Sequence, residues 1–135
     1  MTMTVGTHAR RRITRKADAV LTDHNLLVKE GTDADHFALN GAGEKPLGTC
    51  PDMPDTVEES YTVQLLGGPD TDIMVAGAAV AHGDELYPMA NGRVGNEATV
   101  GAGATYRVGR ALSAATEAGE EIEVEGEKPV AETLT

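Results

Sequence analysis

The sequence predicts a mainly all-β domain preceded by an extended basic N-terminal arm. Three observations carry that reading. Apolar and polar residues alternate at strand spacing in 60–66 (SYTVQLL) and 121–125 (EIEVE). Sixteen glycines and six prolines break the chain into short runs. Five of the 11 basic residues lie within the first sixteen positions, where there is no Asp or Glu.

Residues 1–16 (MTMTVGTHARRRITRK) show no sustained amphipathic period and read as the arm. Residues 17–31 hold Val20, Leu21, Leu26, Leu27 and Val28, and fit a short helix or a strand ending at Gly31. Residues 32–56 are rich in loop residues, with short strands expected at His36–Leu39 and Pro46–Cys50. The strand 60–66 stops at Gly67-Gly68-Pro69, with Tyr61, Val63 and Leu65 on one face. Residues 72–81 (DIMVAGAAVA) read as a strand pair or a strand bent at Gly77. Residues 83–89 form the next strand, and Ala90-Asn91-Gly92 turns it, because Asn-Gly supplies the positive φ of a tight hairpin. Arg93-Val94 begins the return, 104–112 is a further strand, and Glu121–Glu125 points Ile122 and Val124 inward. The expected division is a 1–16 arm, a 17–128 β-rich domain and a peripheral 129–135 tail.

A chain of 135 residues is one domain's worth and buries roughly 70% of its unfolded surface. With no Trp, one Phe and three Tyr, the core rests on aliphatic residues and Met, and oligomerisation is expected to supplement it. The formal net charge is −11. Beyond residue 16, six basic residues face 22 acidic ones, a formal −16. Such a body repels nucleic acid and anionic membranes, so neither is an expected partner. No apolar run reaches the ~18 residues of a membrane span, and no apolar segment typical of a signal peptide follows the basic residues. The acidic, Lys-poor, Ala/Gly/Val/Thr-rich composition resembles that of proteins from salt-accumulating halophiles, with an ordinary acidic mesophilic protein as the alternative.

Candidate chemistry is sparse. One cysteine, Cys50, excludes an internal disulfide and a Cys-based zinc site within one chain. His8, His24, His36 and His82 share no local metal-ligand spacing, which leaves only tertiary convergence. Asp33, Asp35 and Glu44 imitate positions of a calcium loop, but Phe37 and Ala38 stand where a ligand and a glycine are needed, so only a looser cation site is open. Asp70-Thr71-Asp72 reads as a solvated turn. The run 40–45 (NGAGEK) lacks phosphate-loop spacing. Nothing assembles a nucleophile with a base, so no enzyme and no cofactor are expected. The sharpest feature is Arg10, Arg11, Arg12, Ile13, Thr14, Arg15 and Lys16. Its guanidinium groups suit carboxylates on an acidic protein surface, and Ile13-Thr14 suits pairing with a neighbour's sheet edge. A nucleic-acid tail and a solvated tail are the competing readings.

One stretch resembles a known family. The run "GDELYPMANGRV", a variable turn and "YRVGRALSAATEAGEEIEVE" supply Gly83, Asp84, Tyr87, Gly92, Val94, Val108, Gly109, Ala111, Leu112, Ala118, Gly119 and Val124. In that order they resemble the capsid cement, or head decoration, proteins of tailed double-stranded DNA phages. The resemblance implies a small β-barrel or β-tulip-like decoration domain on the outer surface of the virion capsid. It further implies binding to the major capsid protein, bridging of its subunits and stabilisation of the shell against internal DNA pressure. A homotrimer is implied too, with Leu86, Met89, Val94 and Leu112 as the expected contacts. The alternatives are a β-barrel adaptor in a host enzyme complex and a glycan-binding module, the latter disfavoured by the absence of Trp.

Overall fold

The computed structural model describes residues 11–68 and 70–135. Residues 1–10, with His8 and Arg10, and the turn residue Pro69 lie outside the described residues. Strands β1 (Arg12–Ala17), β2 (Leu26–Glu30), β3 (His36–Leu39), β4 (Gly48–Cys50) and β5 (Ser60–Leu65) close a barrel in the order β1-β3-β2-β4-β5. Strands β6 (Asp72–Val75), β7 (Glu85–Pro88), β8 (Val94–Gly95), β9 (Gly103–Ala111) and β10 (Glu121–Leu134) form a second sheet in the order β6-β10-β9-β7-β8. A single turn of helix, α1 (Glu97–Val100), starts at Asn96, whose side chain accepts a hydrogen bond from the Thr99 N–H at 3.0 Å.

Two aliphatic clusters hold these layers. Ala17, Leu26, Val28, Phe37, Cys50 and Val63 fill the barrel, joined by Val75 from β6. Met74, Leu86, Val94, Val108, Ala111, Ile122 and Val124 fill the space under the sheet, joined by Leu27 from β2 and Leu66. The two cores therefore exchange side chains across the seam. In a chain with a single Phe, the edge-on pair of Phe37 and Tyr61, with ring centroids 6.5 Å apart, is the main aromatic contact. Backbones approach closely at Gly48, where an added Cβ would collide with the Gln64 carbonyl of β5. The Asn91-Gly92 turn forms as the sequence reading anticipated, with φ of 64° and 72°, and joins β7 to β8.

Three expectations change. Arg12–Lys16 are not a free arm but most of β1, a full stave of the barrel. They pair antiparallel with β5 from Arg12↔Gln64 to Lys16↔Ser60, and Ala17 pairs parallel with Phe37. The cations hide a period of two, in which Ile13, Arg15 and Ala17 face inward. Arg15 is tolerated there because it reaches Glu30 at 2.8 Å. Secondly, residues 129–135 are not a peripheral tail. β10 runs on to Leu134, pairing Val130 with Arg107 and Leu134 with Gly103. A register shift between Gly126 and Val130 absorbs Pro129. Thirdly, Leu86 and Val94 are fully buried in the protomer's own core and present no surface to a second copy. Met89 is half-buried, its sulfur lying over Gly77 and Gly95, and Leu112 is half-buried beside an open cleft of about 500 Å³. In 17–31 the strand alternative is realised, but only as β2, after an irregular segment with Asn25 at φ 61°.

Candidate functional site

Alternation along β1 sorts its residues by face. Ile13 and Ala17 point into the barrel, while Arg12, Thr14 and Lys16 are exposed. Antiparallel pairing places Gln64, Thr62 and Ser60 of β5 directly beside them. The outer face of β1 and β5 is thus a row of two cations among hydroxyl and amide groups. Among the described residues, Arg12 and Lys16 make no ion pair. The other sheet's arginines differ. Arg107 is held by Glu127 and by Glu132 at 3.0 Å, and Arg110 by Glu125 at 3.2 Å. Arg11 sits at the root of the row, its carbonyl accepting from the Leu65 N–H at 2.7 Å and its stem lying over Gly68. Of the seven arm residues singled out in the sequence, six are described, and three (Arg12, Thr14 and Lys16) form the exposed row. Arg10 lies outside the described residues.

The opposite end of β1 carries a second group of polar side chains. His36 Nδ1 is 2.6 Å from Asp33 Oδ1, and its Nε2 is 2.9 Å from Glu58 Oε2. The bond from Asp33, with a smaller contribution from Glu58, raises the imidazole above its ordinary pKa, and the same bond lowers Asp33. Asp18 completes the group from the end of β1. Sequence reading saw His36 and Asp33 but could not see Glu58 or Asp18 beside them, since the contact is tertiary. Asp33 and Glu44, which with Asp35 left a looser cation site open in the sequence, have separate partners. Glu44 accepts from the Gly41 N–H and from Lys29, each at 2.7 Å. Cys50 is buried, its thiol pushed up to about 11 by that burial, which makes it a core residue rather than a nucleophile.

The stretch with the family resemblance is structural. Asp84 starts β7 by accepting from the Ala81 N–H at 2.8 Å and the Asn96 amide at 3.0 Å. Tyr87, Val94, Val108, Ala111 and Val124 are core residues, and Gly83, Gly92 and Gly119 hold positive φ at turns. The sequence profile of the phage cement protein family matches residues 13–126. The chain belongs to the phage cement protein family. No curated protein matches this cement protein's sequence. Among solved structures, it is similar to the head fiber gp8.5 N base of bacteriophage phi29 at 17% identity, with a TM-score of 0.57, covering 90% of this chain and 97% of that one. At that identity the likeness is one of fold. The cement protein is accordingly a capsid-associated component of the virion, with the all-β architecture and closed barrel described above. The family match begins at Ile13, so it takes in nearly all of β1 as part of the domain.

Proposed function

We propose that this cement protein binds the outer surface of the icosahedral head, bridges neighbouring major capsid protein subunits and stabilises the shell against the pressure of packaged DNA. The observation that carries this reading is the exposed Arg12-Thr14-Lys16 row, whose cations make no ion pair among the described residues of an otherwise acidic chain. Arginine and lysine held on a rigid strand suit carboxylates on an acidic capsid face, with the hydroxyls of Ser60 and Thr62 adding hydrogen bonds. A homotrimer would present three such rows together, so modest contacts per chain would add through effective concentration. With Leu86 and Val94 in the core, its contacts fall to half-buried Met89 and Leu112.

Co-sedimentation with expanded, undecorated shells tests the docking face. Replacing Arg12 and Lys16 together by Ala should weaken binding about thirtyfold, taking roughly 1 kcal/mol for each charged contact. The loss should shrink in high salt, and the circular dichroism spectrum should be unchanged. Unaltered shell occupancy by the double variant would overturn the docking face. Retention of DNA by the parent protein, lost in the same variant, would make the row a nucleic-acid site instead.

A further inference from the structure

At the end of the barrel away from Arg11, three chain segments bring metal-ligating atoms together. Asp18 follows β1, His36 opens β3, and Glu58 lies in the connection before β5. One ligand atom from each lies within 4.8 Å of the other two. From this convergence we propose that Asp18, His36 and Glu58 form a binding site for a divalent transition-metal ion of the zinc class.

Two of the three prospective ligands, His36 and Asp18, are already oriented by an outer partner. Asp33 Oδ1, 2.6 Å from His36 Nδ1, accepts the proton there, and Glu58 Oε2, 2.9 Å from Nε2, accepts the other; loss of that second proton frees the Nε2 lone pair for a metal while Nδ1–H stays on Asp33. A carboxylate behind a ligating histidine is the usual device for fixing its tautomer and raising its basicity. Asp18 is gripped in the same way by Thr32, whose N–H donates to Oδ2 at 2.9 Å and whose hydroxyl donates to Oδ1 at 3.1 Å. The charge also fits. Once the imidazole gives up its Nε2 proton, Asp18, Asp33 and Glu58 bring three negative charges, of which the nearby cation Lys16 offsets one. A divalent ion brings the group close to neutrality.

The donor set decides the class of ion. One imidazole nitrogen and two carboxylates, with water completing the shell, suit zinc or cobalt. Calcium and magnesium prefer six or more oxygens and would gain little from His36. On binding, the ion takes the Nε2 position facing Glu58, and any proton held there is released to solvent. The bound ion would tie β1, β3 and the β4–β5 connection together at the barrel mouth. This does not depend on the docking role proposed above.

The experiment uses the full chain stripped with chelator and titrated with Co2+, read by visible absorption, with Zn2+ as competitor. Saturable uptake of one Co2+ per chain, with the intense visible bands of a low-coordinate site and displacement by Zn2+ but not Ca2+, is the expected result. His36→Gln and Glu58→Gln should each weaken binding at least tenfold, and Asp33→Asn should weaken it about tenfold through the tautomer. The double variant His24→Ala/His82→Ala should bind like the parent. If His36→Gln does not fold, Glu58→Gln and Asp33→Asn decide the matter alone. No saturable uptake by the parent, or parent-like affinity in Glu58→Gln and Asp33→Asn, would overturn the site.

Discussion

At the scale of single residues, the most informative group is His36 with Asp33. The imidazole's pKa is raised above 6.5 in the folded chain and the carboxyl's is lowered below 3.8. The stability contributed by the histidine is complete below 6.5 and is lost as pH climbs through the raised folded value. That of the aspartate is present above 3.8 and is lost as pH falls through the lowered one. The pair therefore helps most between 3.8 and 6.5. In chelator, the urea midpoint of Asp33→Asn should fall below the parent's most in that window, and the gap should narrow as the solution becomes alkaline. A gap independent of pH would mean that the pair is not ionised as described. Little of this was legible beforehand. Asp33 and His36 are three positions apart, but Glu58 is 22 residues beyond His36, and no local spacing announces such a meeting.

At the scale of elements, the second half of the chain was readable and the first strand was not. β7 to β10 carry ordinary signals: an Asn-Gly turn, clean alternation in EIEVE, and glycines at turns. In β1 the same alternation exists, but Arg15 occupies an inward position and Arg12 and Lys16 flank it, so the segment reads as a charged tail. The far end of β10 was hidden by Pro129, which a bulge accommodates. These corrections change which truncations are informative. Removing residues 1–10 should leave a cooperative unfolding transition close to the parent's. Removing residues 1–16 should abolish it, because β5 and β3 lose the strand that closes the barrel. Thermal denaturation followed by circular dichroism separates the two, and a well-folded 17–135 fragment would contradict the barrel's closure.

At the scale of the whole molecule, charge and thin packing set the behaviour. The core is nearly all aliphatic, and its two clusters share Leu27, Leu66 and Val75 across the seam. The seam also holds Asp72, buried at the start of β6, whose carboxylate accepts from the Gln64 amide of β5 at 2.6 Å. Burial pushes that carboxyl's pKa upward. Outside, Glu121, Glu123 and Glu125 line the exposed face of β10. A net charge of −11 on so small a body opposes compaction at low ionic strength. If the composition reflects a halophilic setting, the melting temperature should climb steadily as KCl rises from about 0.1 to about 2 M, with screening tightening toward ~3 Å. A midpoint flat across that range would assign the acidity to simple solubility.

The closure of the barrel by β1 also orders events during synthesis. This stave sits between β3 and β5, so it finds its last neighbour only after Leu65 has emerged from the ribosome. Until then Arg12, Thr14 and Lys16 belong to a nascent peptide with no fixed spacing. The exposed row is therefore created by folding itself, and, on the docking role proposed above, an unfinished chain would have no rigid grip with which to seize a half-built head.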